Sequence, residues 1–265
     1  MRKYKKYISL IKTSMQQTLT YRSNFFMSIM VTILLFISSF FLWKSVFAGK
    51  DTISIYSWNH MKGYLLVAFI CNTLLSWYSE SSISRKILDG SVAMDLIKPY
   101  NFYYARLSET IGSSIFEGLV IGIASVVLII ILRIPLPNNI MIWVCFLISI
   151  LFALLIKFAI VYLFSMLIFI TSSYMGIQWA RAAITNLLSG GLVPLVLFPS
   201  WCRTIFGYMP FQYIVSFPAS IFLNQKDLPQ IGNHFLIEVL WIITLFLLGK
   251  VLFAISIRKV TINGG

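Results

Sequence analysis

The chain has 265 residues, of which 59% are hydrophobic and only 11% are charged, against about 25% charged in ordinary soluble domains. This composition excludes a soluble protein, and the length suits a single membrane domain over 1–265 without a folded soluble domain beside it. The net charge of +13 does not indicate nucleic-acid binding, because the basic residues lie mostly at the ends of apolar stretches, where lipid headgroups and the positive-inside bias account for them.

The first 22 residues interleave basic side chains, among them Lys5, Lys6 and Lys12, with apolar ones. This pattern predicts an amphipathic helix over 1–22 that lies in the membrane interface, and a disordered basic tail is the alternative. The apolar stretch Asn24–Trp43 follows. Because it is longer than the roughly 7–15 residues of a signal-peptide core, we predict a retained first transmembrane helix.

Five more apolar stretches predict an all-α polytopic membrane protein with six transmembrane helices. The later spans are predicted at Gly63–Tyr78, Leu107–Leu132, Ile140–Thr171, Ile177–Phe198 and His234–Ile257. No turn residue interrupts 140–171, so one long helix of about 48 Å is expected there rather than two spans. Gly190, Gly191 and Pro194 predict a kink or a break in the fifth span. Most basic residues between the spans fall on the side of the N-terminus, which predicts that both termini are cytoplasmic.

The polar segment 79–105 joins the second and third predicted spans. Within it, Ser82–Leu88 predicts a short amphipathic helix that ends at Asp89-Gly90. Ser91 is expected to cap a second helical turn, which ends before Pro99. Because about two to eight residues suffice to join two helices, this longer segment predicts a docking surface for a cytoplasmic partner.

Two charged residues lie deep within predicted spans, Glu117 in the third and Lys157 in the fourth. A charge that faces lipid costs several kcal/mol, so both are expected to face protein or water. Their distances from the short turn that joins the two spans match, which predicts a Glu117–Lys157 pair. The pair is either structural or part of a transport pathway. In the sixth span, Glu238 and Lys250 are twelve residues apart and are expected on different faces, with Lys250 extending toward the interface.

The sequence lacks the motifs of common catalytic sites. Gly49-Lys50 and Gly249-Lys250 lack the other residues of a phosphate-binding loop, so the chain is not expected to hydrolyse ATP by itself. GxSxG, HExxH and Rossmann glycine patterns are missing too, which disfavours an intramembrane enzyme. The three cysteines form no CxxC motif, and we expect no metal site, structural disulfide or catalytic residue.

Four short motifs and the overall layout carry a resemblance that covers essentially the whole chain. The motifs are Ile87–Gly90, Leu96–Pro99, Met209–Phe211 and Phe217–Phe222. The layout combines a basic amphipathic N-terminus, six spans, a polar loop after the second span and a proline-rich segment before the sixth. In these features the chain resembles the permease subunits of type-2 ABC exporters, in particular the six-span subgroup that includes daunorubicin- and viologen-type exporters.

The resemblance implies partners and functional residues that the pattern of residues alone does not. It implies a permease in a bacterial plasma membrane that forms a homodimer or a heterodimer with a similar permease and pairs with two copies of an ABC ATPase. It implies that ATP and Mg²⁺ are used by that ATPase, and that this chain binds no cofactor itself. The implied ATPase-coupling residues are Arg85, Lys86, Leu88, Asp89, Gly90, Asp95, Leu96, Lys98 and Pro99. The extracellular segment 199–232 is implied to form re-entrant helices and an outer gate, with Pro210, Phe211, Phe217 and Pro218.

The expected function is therefore outward movement of an amphiphilic drug, peptide or lipid, driven by ATP hydrolysis in another subunit. One alternative is an ion-coupled secondary transporter, which would show internal repeats and several intramembrane carboxylates. Another is a membrane scaffold that transports nothing.

Overall fold

The computed structural model of the chain describes residues 2–20, 22–74, 78–98, 100–171 and 173–257. Its described part is almost entirely helical. The α-helices are α1 (Arg2–Thr20), α2 (Arg22–Val46), α3 (Trp58–Thr73), α4 (Tyr78–Leu88), α5 (Val92–Ile97), α6 (Phe102–Leu132), α7 (Ile140–Thr171), α8 (Tyr174–Leu188), α9 (Ser200–Gly207), α10 (Ser216–Phe222) and α11 (Leu228–Ser256). Two short antiparallel strands, β1 (Thr52–Ile53) and β2 (Tyr56–Ser57), pair with Thr52 opposite Ser57. Two 3-10 helices cover Leu195–Leu197 and Pro210–Tyr213.

Four of these helices are long and apolar enough to cross a membrane. They cover Ile29–Val46, Phe102–Leu132, Ile140–Phe169 and Leu228–Ser256. Large apolar side chains stay exposed along α2, α6 and α11, for example Leu35, Ile123 and Leu240. Such extended exposed apolar surfaces are rare in soluble proteins and are what a lipid-facing surface requires.

The helices meet at two opposite ends of the bundle. At one, which we call the sheet end, Trp58 of α3 lies beside β2 and its ring contacts Phe47 of α2 at 5.7 Å. Also at this end, Lys62 Nζ donates to the carbonyl of Leu132, the last residue of α6, at 3.1 Å. At the other, the α4–α5 end, Phe102 at the start of α6 stacks on Phe253 of α11, with 5.2 Å between ring centroids. The last turns of α11 therefore lie at the α4–α5 end. Helix α1 lies there too, because Tyr7 Oη accepts a hydrogen bond from the N–H of Asn101, just before α6.

The structure confirms α7 as one uninterrupted helix, with the bounds predicted for the fourth span. The third and sixth predicted spans correspond to α6 and α11, but both helices begin earlier than predicted. Asn101 caps α6 by accepting a hydrogen bond from the Tyr104 N–H, which starts this helix at Phe102. In α11, Asp227 is the N-cap residue and Pro229 lies in the first turn, so a helix start replaces part of the loop expected there.

The second and fifth predicted spans correspond to shorter helices. With 16 residues, α3 rises about 24 Å, and with 15 residues, α8 rises about 22 Å. The break predicted for the fifth span is confirmed, because α8 ends at Leu188 and Gly190 adopts a φ of +82°. A side chain at Gly190 would also collide with the Tyr64 hydroxyl, which donates to the Gly190 carbonyl at 2.7 Å.

After this break, residues 195–222, which we call the return segment, fold back into the bundle at the sheet end. The N–H of Ser216 donates to the carbonyl of Ser189 at 3.1 Å, which closes the segment onto the end of α8. At its far end, Phe222 contacts Phe146 and Trp143 of α7, with ring centroids 5.3 and 5.8 Å apart. The return segment therefore fills space between α3 and α7.

The bundle has two apolar cores. The larger one surrounds α3, whose Met61, Tyr64, Leu66 and Val67 are almost completely buried. The smaller one lies at the α4–α5 end, where α4 and α5 pack against α6, α7 and α11. Its members are Ile83, Ile87, Val92, Phe102, Tyr103, Phe158, Val161, Tyr162, Met166 and Ile168.

Candidate functional site

The turn between α4 and α5 is held by Asp89 and Gly90. Gly90 has a φ of +72°, which lets the chain reverse after Leu88. The Ser91 N–H donates to Asp89 Oδ1 at 2.9 Å, an Asx-turn, and the hydrogen bonds with Ser91 lower the pKa of Asp89. The expected side-chain cap from Ser91 is wrong, because that side chain makes no capping hydrogen bond. The hydrogen bond from the Ser91 N–H to Asp89 stabilises the start of α5 instead.

Asp95 of α5 lies at the centre of a network of donors. Its side chain is 5% exposed and accepts hydrogen bonds from Lys86 and Lys98, both at 2.9 Å. Tyr100 donates to the same carboxylate at 3.1 Å, and Arg106 of α6 at 3.0 Å. Burial disfavours the charged carboxylate, but the Lys98 and Lys86 hydrogen bonds and the charge of Arg106 outweigh it and lower the pKa of Asp95 to about 2.

Arg106 connects this network to α6. Its side chain is 1% exposed, and its guanidinium forms a second ion pair with Glu109, one turn further along, at 2.7 Å. It also lies over the Phe102 ring, 5.2 Å from the centroid. A buried guanidinium that lost its carboxylates would be strongly destabilising, so α5 is fixed to the first two turns of α6.

Helix α1 packs along the same part of α6. Ser14 Oγ donates to the Glu109 carbonyl at 2.6 Å, and Tyr7 Oη accepts a hydrogen bond from the Asn101 N–H. At Gly112 a Cβ atom would lie 3.0 Å from the Ser14 Cβ and closer still to a backbone oxygen of α1. Only glycine permits this approach. The predicted N-terminal helix is thus confirmed over Arg2–Thr20, and the alternative of a disordered tail is wrong there.

The structure divides the predicted coupling residues into an anchor and an exposed face. Lys86 and Asp95 form the anchor, together with Arg106 and Glu109, two residues that no motif of the sequence singles out. Arg85, Leu88, Asp89, Gly90 and Lys98 are exposed. Leu96 lies in α5, its side chain is not described, and Pro99 lies outside the described residues. The signal that could have found the missed residues is the Arg106/Glu109 spacing of three at the start of an apolar helix.

The exposed face also carries apolar side chains. Leu88, Met94 and Ile97 are 44%, 65% and 80% exposed, although they lie beside the charged network around Asp95. With Arg85, Asp89 and Lys98 they form a mixed apolar and charged surface, which we call the α4–α5 face. A rigidly anchored surface of this composition is typical of a site that binds another protein.

Lys157 of α7 caps the C-terminal end of α3. Its Nζ donates to the carbonyls of Cys71, Asn72 and Leu74 at 2.9, 2.9 and 2.5 Å. The last carbonyls of a helix have no partner within it and carry partial negative charge, so an ammonium group stabilises them. No feature of the sequence indicated this contact.

Glu117 of α6 is buried, as expected, and so is Lys157 of α7. Leu74 lies between the two helices, because its side chain would be 3.8 Å from a Cβ at Gly118 while its carbonyl accepts from Lys157. The Glu117–Lys157 pair itself stays a prediction.

Three of the predicted outer-gate residues are buried in the return segment, and Phe211 is half-buried. Pro210 begins the second 3-10 helix, and Pro218 lies within α10. Phe217 contacts rings on both the return segment and α11, with centroid distances of 5.5 Å to Tyr213, 4.9 Å to His234 and 5.8 Å to Phe235. These residues pack against α3, α7 and α11 at the sheet end.

The family of the chain follows from comparison with known proteins. A family model described as ABC-2 family transporter protein matches residues 20–264. The chain belongs to the ABC-2 transporter family. No curated protein sequence matches it significantly.

Membership of the ABC-2 family confirms the resemblance drawn from the short motifs and the layout. The chain is a multi-pass membrane protein and a transport subunit of an ABC system, which implies a separate ABC ATPase as partner. The α4–α5 face and the return segment are therefore parts of a permease.

Proposed function

We propose that this permease forms the translocation path of an ATP-driven exporter for an amphiphilic drug, peptide or lipid. ATP is hydrolysed by two copies of a separate ATPase bound at the α4–α5 face. The permease works as a dimer, with itself or with a similar permease, in a bacterial plasma membrane.

The observation that carries this proposal is the α4–α5 face. The ATPase must transmit a movement to the membrane helices, and a flexible loop would absorb it. Here the buried Asp95–Arg106 ion pair fixes α5 to α6, a helix of 31 residues that continues to the sheet end. Helix α1 is fixed to α6 as well, through Ser14 and Gly112. A partner that binds Met94 and Ile97 would therefore move α5 and α6 together as a rigid body.

Six spans with both termini in the cytoplasm fit the arrangement of the helices. Successive long elements alternate in direction between the two ends, and α1 and the end of α11 share the α4–α5 end. Helix α3 rises only about 24 Å, but it lies inside the bundle, where protein rather than lipid satisfies the backbone beyond its end. Helix α8 rises about 22 Å and is largely exposed, with only one face, carrying Gln178, Arg181 and Thr185, buried among the described residues. The Lys157 ammonium donates to carbonyls at the end of α3, and the Ser216 N–H of the return segment donates to the Ser189 carbonyl at the end of α8.

The path for the substrate is proposed to follow the space beside α3. A small cavity lies against the end of α3, and its lining includes Lys157 of α7 and Ile214 of the return segment. Above it, Phe217 and Pro218 close the sheet end, as expected of an outer gate. The walls of this cavity are apolar apart from Lys157, whose ammonium is bound by carbonyls at the end of α3, so an amphiphile would enter only once the helices move apart.

Co-purification with the ATPase tests the partner site. The permease is purified in mild detergent from cells that also express the candidate ATPase, and bound ATPase and ATP hydrolysis are measured. Ile97→Asp is expected to lose both, because a charge in an apolar contact is not compensated. The control is Ile55→Asp, another exposed isoleucine (55%, against 80% for Ile97), in the turn of the β1–β2 hairpin at the opposite end of the bundle. Equal binding to both variants would contradict the proposed site.

Export is tested in inside-out vesicles that contain the complex. Accumulation of a fluorescent amphiphile from a panel of lipids, peptides and drugs must require ATP and stop when the ATPase is inactivated. Accumulation driven by an ion gradient without ATP would instead support the secondary-transporter alternative. A complex that hydrolyses ATP but moves no member of the panel would contradict the proposed substrate class.

A further inference from the structure

Glu238 occupies an unusual position in α11. Its side chain is 0% exposed, and neither carboxyl oxygen has a hydrogen-bond partner among the described residues. The residues on either side of it, Ile237 and Val239, face outward and are exposed. A carboxylate without a partner in such surroundings costs many kcal/mol, whereas a protonated carboxyl costs far less. The carboxyl therefore holds a proton in this conformation.

A chain of polar side chains leads from Glu238 toward the sheet end. Tyr213 of the return segment is close enough to Glu238 for the two side chains to interact electrostatically, and no hydrogen bond joins them. The Tyr213 hydroxyl is 3.4 Å from His234 Nδ1, one turn before Glu238 on α11. His234 Nε2 is in turn 3.0 Å from Nζ of Lys226, in the loop that precedes α11. Because an ammonium can only donate, Nε2 accepts from Lys226, and the ring proton lies on Nδ1 toward Tyr213.

We propose that Glu238 is a proton-binding site inside the membrane, connected to the sheet end through Tyr213, His234 and Lys226. Tyr213 belongs to the return segment, so movement of this segment away from α11 would admit water and let Glu238 ionise. The proton then passes to that water. When the segment returns, the polar chain delivers a proton to Glu238 from the sheet end, because Lys226 donates to His234 Nε2 and the Nδ1 proton of His234 lies toward Tyr213. The proposal goes beyond the transport function and does not depend on the ATPase.

Among the residues that the structure describes, the titratable groups around Glu238 include no cation that neutralises it. On the return segment the group is the neutral phenol of Tyr213, and on α11 it is His234, which faces Lys226. Helix α7 meets α11 through Phe152, whose ring is 5.8 Å from that of Phe235, and through Tyr162, beside Gly249. Lys157 lies about 140° around α7 from both, and its ammonium is held by α3 carbonyls. Lys250 lies three turns further along α11, over the Phe246 ring.

Unfolding across a pH range tests the bound proton in the purified permease. Glu238→Gln and Glu238→Met both remove the titrating group, and Met also keeps the site apolar, so at least one of them should fold. The folded carboxyl keeps its proton, while the unfolded chain ionises above about pH 4.3. Between pH 6 and 8, the folded-to-unfolded ratio of the wild type should therefore fall up to about tenfold per pH unit relative to either variant. Asp227→Asn, which removes an exposed carboxylate, is the control and should behave like the wild type.

Infrared spectroscopy of the wild type provides the second measurement. At neutral pH we expect a carbonyl band of a protonated carboxylic acid that disappears in Glu238→Gln. In heavy water this band should shift quickly, and Tyr213→Phe should slow the shift several-fold, because it removes the hydroxyl that lies 3.4 Å from His234 Nδ1.

Three results would overturn the proposal. One is a folded-to-unfolded ratio of the wild type that does not change with pH relative to the variants. That result would mean that Glu238 is ionised in the folded protein. Another is a wild type that is more stable in sodium salt than in choline salt. That result would make Glu238 a site for a metal cation. An exchange rate that Tyr213→Phe leaves unchanged would refute the polar chain as the route of the proton.

Discussion

The buried network around Asp95 yields the sharpest prediction. Asp95→Asn keeps the shape of the side chain but removes its charge, and it leaves Arg106 with Glu109 as its remaining carboxylate. We expect the permease to lose stability and the complex to lose coupling, because α5 is then held less firmly on α6.

The size of the effect follows from the pKa of Asp95. Its lowering from 3.8 to about 2 corresponds to about 2.5 kcal/mol at roughly 1.4 kcal/mol per pH unit. Breaking a buried ion pair by removing one partner costs about 3–5 kcal/mol. The remaining Arg106–Glu109 ion pair reduces this cost. Asp95→Asn should therefore destabilise the permease by about 2–3 kcal/mol. Because the folded pKa lies below the unfolded one, this stabilisation is present above about pH 4 and is lost as the pH falls toward 2.

The assay is unfolding in mixed micelles by titration with sodium dodecyl sulfate, followed by tryptophan fluorescence. Asp89→Asn is the matched control, since Asp89 lies in the same turn region but is exposed. The difference between wild type and Asp95→Asn should also shrink between pH 4 and 2. If the two variants lose the same stability at neutral pH, or if the difference persists at low pH, the Asp95 network does not hold α5 on α6.

Three further substitutions probe other contacts by the same titration. Lys157→Met removes the donor to three α3 carbonyls and should cost at least about 2 kcal/mol, whereas no loss would show that water replaces the ammonium. Gly112→Ala places a Cβ against α1 and should release α1 to a protease, whereas Gly122→Ala, with open space, should not. Phe217→Ala opens a cavity beside Tyr213 and should cost about 3–5 kcal/mol; a loss as small as that for the exposed Tyr208→Ala would contradict its packing role.

The helical architecture is largely predictable from the sequence, because apolar length is a strong signal. The uninterrupted α7 and the break at Gly190 follow from the presence or absence of turn residues over a long stretch. Helix starts are less predictable. They depend on single capping residues, as at Asn101, where one side-chain hydrogen bond extends α6 by five residues beyond the predicted Leu107.

The candidate site is only partly predictable, because its key contacts join residues far apart in the chain. Asp95 and Lys86 could be selected from the polar segment alone, but Arg106 looks like an ordinary basic residue at the edge of a span. The Lys157 ammonium contacts carbonyls 83 to 86 residues away, and carbonyls carry no sequence signal. The sequence relates Glu238 only to Lys250 on its own helix, whereas folding brings Tyr213 of the return segment close enough to interact with it electrostatically.

Photo-cross-linking from α5 tests the central claim most directly, namely that energy reaches this permease from another chain at the α4–α5 face. A photoreactive amino acid is placed at Ile97, and in a separate sample at Ile55, and the products formed in cells are identified by mass spectrometry. We predict an ABC ATPase cross-linked from position 97 and none from position 55. Cross-linking of the ATPase from position 55 alone, or of lipid alone from position 97, would contradict it.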